Sequence, residues 1–227
     1  MNYEIKKNKI SVIYLVGGKY DQEIFEKSLE SVKWANEIVK VDADKNPSSF
    51  AELRNIGAKM AKNEWLLYID TDEIVTNNLH KVLIESSETD DYAAYAIPRR
   101  NFIFGHEMKH CGQWPDYVLR LIKKSSLIAW EGDLHEQPKV RGKVFHLSEP
   151  LIHHKHDHLS DMVDKTNKWS ELEAKLMFDA QHPKMNLIRF ASAGLREFWQ
   201  RMILQTAFLD GVYGVIYGLY QVFSRLI

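Results

Sequence analysis

The sequence predicts an α/β fold followed by a C-terminal helical extension, and three features carry that prediction. β-rich and helical-period segments alternate through about the first seventy residues, the βαβαβ order that builds a parallel sheet with right-handed crossovers. The third β-rich run, Trp65-Leu66-Leu67-Tyr68-Ile69-Asp70-Thr71-Asp72-Glu73, sets three carboxylates within four positions behind five apolar residues. The last third reads as helix. From residue 185 to 227 it is dominated by aromatic and aliphatic side chains, with Arg189, Arg196, Arg201 and Arg225 interspersed.

Residues 10–16 are apolar and β-rich and are stopped by Gly17-Gly18. Asp21 can cap a helix that presents Phe25, Leu29 and Val32 on one face. Residues 37–41 make a short second strand ending at Asp42 and Asp44, and Pro47 closes the loop. Ser49-Phe50-Ala51-Glu52 has the capping-box form, with Phe50, Leu53, Gly57 and Met60 following at helical spacing. Residues 65–69 read as a buried strand. The carboxylates behind it lie where ligands bind in such sheets, beyond the carboxyl ends of the strands. Clustered carboxylates repel one another, so a hard divalent cation carrying phosphate oxygens is their natural occupant. The local alternative is that Asp72 or Glu73 caps a helix through Leu79 and Leu83. Neither G-x-G-x-x-G nor a Walker A sequence occurs, which disfavours a dinucleotide enzyme or a P-loop NTPase. Residues 92–97 form a further strand ending at Pro98. Residues 117–122, 127–130 and 143–147 are short β-like segments among loops dense in Trp, His, Arg and Asp, the setting in which sites concentrate.

Hydrophobic residues make up 45 % and aromatics 11 % of the 227 residues, enough for a sizeable core. Lys and Arg number 30 against 31 Asp and Glu, so no basic footprint for nucleic acid exists. The single cysteine, Cys111, rules out an internal disulfide and suits a reducing compartment. Residues 1–9 are polar, and Gly17-Gly18-Lys19 interrupts the following run too early for a secretion signal. The catalytic part is therefore expected in the cytoplasm.

Asp42 after Glu37-Ile38-Val39-Lys40-Val41, then Arg54-Asn55-Ile56-Gly57, then Ile69-Asp70-Thr71-Asp72-Glu73 together resemble glycosyltransferase family 2. Pro98-Arg99-Arg100-Asn101-Phe102, Gly105, Gly112, Trp114-Pro115-Asp116, Leu119-Arg120-Leu121 and His135-Glu136 resemble its branch that adds sugars to the lipopolysaccharide core. The resemblance implies a GT-A fold with a mixed central sheet over residues 8–155. Within it, 8–97 form a Rossmann-like nucleotide-binding half and 98–155 the acceptor and catalytic half. Residues 156–227 then form a helical, membrane-associating extension. The implied activity is a metal-dependent inverting transfer from a nucleotide-diphosphate sugar, UDP-linked, to a glycan or glycolipid at the cytoplasmic membrane surface.

Roles follow from the same resemblance. Asp70 and Asp72, with Thr71 between them, match a D-x-D pattern that holds Mn²⁺ or Mg²⁺ against the diphosphate. Asp70 leans towards the ribose and a metal water, and Asp72 ligates the metal directly. His135 and His153 are further metal candidates. Asp42 fits the residue that reads the base, Arg54, Arg99 and Arg120 suit phosphate groups, and Trp114 offers a stacking face for a sugar ring. An inverting transfer needs a carboxylate to take the acceptor proton. Asp116 is the first candidate, Glu136 the second and Glu131 the third. The loops Leu15-Val16-Gly17-Gly18-Lys19 and Ala43-Asp44-Lys45-Asn46-Pro47 depart from the family pattern where it lines the nucleotide pocket.

Apart from His153, the cluster His153-His154-Lys155-His156-Asp157-His158 has neither the spacing nor the cysteines of a closed zinc site and reads as a solvated loop or site rim. Residues 207–223 carry one charge, Asp210, and three glycines. That is close to a spanning length, while aromatics with arginines suit a helix lying in the membrane interface. A buried or dimer-forming helix is the third reading. Two other function classes stay open: a sugar nucleotidyltransferase using a loop such as Gly17-Gly18-Lys19, and an inactive membrane-docked scaffold of the same fold.

Overall fold

The computed structural model describes residues 9–46, 48–132 and 136–227. The chain forms two compact units. One takes the chain up to Arg99 together with Tyr117–His153, and the other takes Arg100–Asp116 with His154–Ile227.

The first unit opens with β1 (Ile10–Val16), α1 (Gln22–Ser31), β2 (Glu37–Asp42), α2 (Phe50–Met60), β3 (Trp65–Tyr68), β4 (Glu73–Val75) and α3 (Asn77–Ser87). β5 (Ala94–Ile103) and, after β6 (His106–Glu107) of the second unit, β7 (Asp116–Lys123) join the same sheet. β8 (Leu127–Glu131) pairs with β9 (Gln137–Val140), β10 (Val144–His146) pairs with β5, and β11 (Leu151–His156) completes the strands. The sheet order is β2-β1-β3-β7-β5-β11-β4. β1 runs parallel to β2 and β3, β7 runs antiparallel to β3, and β4 runs antiparallel to β11, so the sheet is mixed, as expected.

The N-terminal half forms for the reasons its sequence states. The Asp21 side chain accepts from Ile24 N at the start of α1, and Ser49 and Glu52 close both halves of the capping box on α2. The strands alternate between two cores. Ile10, Val12, Tyr14, Trp65 and Leu67 enter one cluster, while Ile13, Val39, Val41, Leu66 and Tyr68 enter the other. Burial on both faces is the state of parallel strands covered by helices. Gly57 lets α2 lie directly on β1, because a Cβ there would meet Ile13 Cγ2 at 2.5 Å.

Three local expectations change. β5 continues through Pro98 to Ile103 rather than ending there, because Phe102 and Ile103 find partners in Glu107 and His106 of β6. α3 is capped by Thr76, whose hydroxyl accepts from Leu79 N at 3.1 Å; the acidic cluster before it caps nothing, and Glu73 instead begins β4. The histidine cluster is not a loop: His153, His154, Lys155 and His156 belong to β11.

In the second unit, α4 (Leu159–Asp179) and α5 (Leu187–Phe198) are followed by a π-helical turn at Trp199–Leu204, a 3₁₀ turn at Ala207–Asp210 and α6 (Gly211–Leu226). Its core gathers Ile103, Met108, Cys111, Met162, Ala207 and Tyr217. Asp210, the lone charge of the apolar stretch, is buried and accepts from the backbone N–H groups of Lys109 (3.1 Å) and His110 (2.8 Å). No single helix among the described residues is long and apolar enough to cross a membrane. Leu187–Leu204 and Ala207–Leu226 reach that composition only as a pair bent by 60°. The Asp210 clamp gives a direct test. Hydrogen bonds to a charged group contribute about 1.5–3 kcal/mol each, so Asp210→Ala is expected to cost roughly 3 kcal/mol in urea unfolding. A loss below about 1 kcal/mol would show that the buried carboxylate does not hold the 106–113 loop.

Candidate active site

The parallel strands β1, β2 and β3 end on one edge, with Val16 paired to Asp42 and Ile69 N bonded to Ile13 O. That edge carries the acidic turn. Asp70 O accepts from Glu73 N at 3.1 Å, and Glu73 Oε2 accepts from Asp70 N at 3.0 Å. The turn is thus closed twice, once by backbone and once by the Glu73 side chain, and Thr71 and Asp72 stand at its tip.

Two arginines grip Asp70. Arg54 of α2 donates Nη2 to Asp70 Oδ1 at 3.2 Å, and Arg120 of β7 donates to Oδ2. Burial alone would raise the Asp70 pKa, but the Arg120 and Arg54 guanidinium charges overcome it and hold the carboxyl well below the usual range. Arg120 also donates to Glu73 Oε1 at 2.5 Å, and Arg99 of β5 reaches the same oxygen at 3.4 Å. Glu73 is fully buried. Its backbone carbonyl accepts from Ser28 Oγ, whose hydroxyl meets Tyr14 at 2.8 Å. Burial opposes the charge of Arg120, yet Asp70 and Glu73 raise its pKa. Its Nε has no hydrogen-bond partner among the described residues. Arg54 lies 4.8 Å over the Trp130 ring and donates to Glu136 at 3.0 Å.

Asp72 is different. Its side chain is 41 % exposed, and its Oδ2 lies 3.6 Å from Nε2 of the largely buried His153, too long for a hydrogen bond. The β11–β4 register, His153 opposite Glu73, sets this approach. Among the described residues no three carboxylate, imidazole or thiolate groups converge on one point. One carboxylate and one imidazole still fit a cation that takes one or two protein ligands and completes its sphere with water and substrate phosphate.

Asp42 sits at the same strand edge but is bonded within its own loop, accepting from Asp44 N (3.1 Å), Lys45 N (3.0 Å) and Lys45 Nζ (2.8 Å). The hydrogen bond from Lys45 holds its pKa below the ordinary value. The two unusual loops support each other: a Cβ on Gly17 would stand 2.8 Å from that of Ala43, and Gly18 N donates to Asp44 Oδ1 at 3.0 Å.

Asp116 and Trp114 belong to the second unit. The amide of fully buried Asn101 donates to Asp116 Oδ2 (3.0 Å) and to Gln113 O (3.1 Å), while Lys155 Nζ donates to Gln113 Oε1. Trp114 is exposed. Arg100 is committed to Glu107 through two hydrogen bonds of 2.8 and 2.6 Å.

The first unit therefore joins Arg54, Asp70, Arg99, Arg120 and Glu136 in one network, with Thr71, Asp72 and His153 beside it. Asp42 shares the edge without joining the network, and His135 lies outside the described residues. Sequence reasoning assigned no role to Glu73 as an anchor, to Trp130 or to Asn101. Only Glu73 carried a signal, as a third carboxylate directly preceding Ile74-Val75.

The family model described as glycosyl transferase family 2 matches residues 6–136. A Rickettsia bellii (strain RML369-C) protein named "Uncharacterized glycosyltransferase" is 22 % identical over 99 % of this chain and 86 % of its own length. Among solved structures, S. aureus TarS 1-349 aligns at 11 % identity and TM-score 0.40, over 96 % of this chain and 81 % of that one. The bifunctional IspDF of Campylobacter jejuni aligns at 10 % identity and TM-score 0.43 over 62 % of this chain; the chain spans half of its length. With the family match covering more than half of the sequence and a mixed α/β sheet beneath it, this chain belongs to glycosyl transferase family 2 and is a glycosyltransferase of GT-A architecture.

Proposed function

We propose that the protein is a metal-dependent, inverting glycosyltransferase that moves a sugar from a UDP-linked donor to a membrane-associated glycan or glycolipid of the lipopolysaccharide-core kind. The observation that carries the metal reading is the division of labour in the acidic turn. Asp70 is consumed by Arg54 and Arg120, whereas Asp72 is left exposed opposite His153. Asp72 and His153 would hold Mn²⁺ or Mg²⁺, which when bound would supply Lewis-acid neutralisation of diphosphate charge. Asp70 keeps the turn in place and offers its remaining face to the ribose. Arg99 and Arg54 contribute positive charge for the phosphates, and Asp42 contacts the base. Asp116, oriented by the Asn101 amide, accepts the acceptor proton as the hydroxyl oxygen bonds to the anomeric carbon and the sugar–phosphate C–O bond breaks. Glu136, paired to Arg54, is the second candidate for that proton.

Thermal unfolding tests the donor and metal roles together. A ligand at 100 times its Kd stabilises by about 2.7 kcal/mol, roughly 5–10 °C in Tm for a chain of this size. UDP with Mn²⁺ is expected to raise Tm by that amount, UDP with EDTA by much less, and Asp72→Asn is expected to abolish the difference. Equal shifts with Mn²⁺ and with EDTA would remove the cation from the reading.

A further inference from the structure

The C-terminal segment of the second unit shows the solvent a surface that a soluble core would bury. On α5, Ile188 and Leu195 stand at i and i+7, one stripe of the helix, 80 % and 70 % exposed, and Trp199, which opens the π-helical turn, is exposed as well. On α6, Val212, Ile216, Leu219 and Phe223 repeat at i, i+4, i+7 and i+11, and all four are exposed. The opposite face of α6, with Gly214, Tyr217 and Gly218, is the buried one. Water therefore meets apolar stripes on both helices, whereas a surface helix normally turns its polar face outward.

Charge distinguishes among possible occupants. Residues 184–227 contain five cations, Lys184, Arg189, Arg196, Arg201 and Arg225, against two carboxylates, Glu197 and Asp210. This net +3 sits in a chain of net −1. Both carboxylates are already used: Glu197 pairs with Arg201 at 2.6 Å, and Asp210 is buried on backbone N–H groups. Arg189, Arg196 and Arg225 have no carboxylate partner among the described residues. Arg189 and Arg196, seven residues apart, form the stripe beside Ile188 and Leu195. Arg196 lies beside the exposed side chains of Leu195, Phe198 and Trp199, so a cation and apolar groups share one patch of surface. A two-fold contact between copies would bring this cationic surface against itself.

We infer that the exposed stripes of α5 and α6 form a docking surface for an anionic phospholipid bilayer. The apolar side chains enter the interface, and Arg189 and Arg196 meet lipid phosphates. For its use in catalysis, this docking rests on the glycolipid-acceptor reading above.

Flotation of the full chain with phosphatidylcholine vesicles, with and without about 30 % phosphatidylglycerol, tests it at near-physiological salt. The chain is expected to float with the anionic vesicles and about tenfold less with the neutral ones. Arg189→Glu with Arg196→Glu, and separately Ile188→Gln with Leu195→Gln, are each expected to cut the bound fraction about tenfold. Ile188, Leu195 and Arg196 are exposed and Arg189 is half-buried, and all four lie outside the donor network, so the UDP-dependent thermal shift stays unchanged, which separates a failure of docking from a failure of the donor reading. Equal binding to both vesicle types, or variants that float like the wild type, would overturn the inference. A wild-type dimer in light scattering that the Leu195→Gln variant dissociates would overturn it too, by assigning the surface to a second copy.

Discussion

Asp116→Asn is expected to lower kcat by about 10²–10⁴-fold, the usual contribution of a positioned general base. The substitution keeps the side chain's shape and an oxygen to accept from Asn101 (3.0 Å in the structure), so folding is preserved. What it removes is a group able to bind the acceptor proton. The donor terms belong to Asp72, Arg54 and Arg99, so the donor KM and the UDP-dependent Tm shift should be unchanged. The acidic limb of the pH–rate profile, which reports the base, should disappear. Initial-rate kinetics with a fixed acceptor check all three. If the variant retains more than half of the wild-type kcat, the proton goes elsewhere, and Glu136 is next in line despite its pairing with Arg54.

Arg120→Ala carries the largest expected cost in stability, about 3–5 kcal/mol. Arg120 is buried and pairs with both Asp70 and the fully buried Glu73. Its removal leaves the buried Glu73 carboxylate facing only the more distant Arg99, at 3.4 Å among the described residues, and loosens the turn that presents Asp72. Lysine should not rescue it, because a single ammonium cannot reproduce a fork that spans two carboxylates. Removing both charges should be milder than removing one: replacing a buried pair by neutral groups is often tolerated where breaking it is not. Arg120→Met with Glu73→Gln is thus expected to recover part of the lost stability in urea unfolding without recovering transfer. Equal losses in the single and double variants would mean that the cost lies in packing rather than in uncompensated charge.

The readable parts of the chain are those whose physics is local. Asp21 and the Ser49–Glu52 pair act within three residues of themselves, and their caps form as expected. Runs such as 10–16 and 65–69 are apolar on both faces because helices cover both sides of the sheet, which made them legible as parallel strands. Asp70 shows where that reach ends. Its place at a strand end was visible, but its two arginines come from positions 16 residues before and 50 residues after it. Asp42 was legible as a strand-end carboxylate, while its bonds to Asp44 and Lys45 depend on the conformation of the loop that follows. Asp210 looked like an obstacle to a spanning helix, and its partners at 109 and 110 lie a hundred residues away.

The sequence by itself determined the α/β class, the family, the acidic turn after the third strand and the helical, arginine-bearing tail, because periodicity, capping and residue order are properties of contiguous chain. Tertiary structure alone decided which carboxylate is neutralised and which is left open, that Glu73 is an anchor rather than a helix cap, that Asn101 orients Asp116, and which faces of the last two helices meet solvent. Those outcomes rest on charges and surfaces brought together across dozens of residues, and Coulombic and burial energies depend on separation in space rather than along the chain.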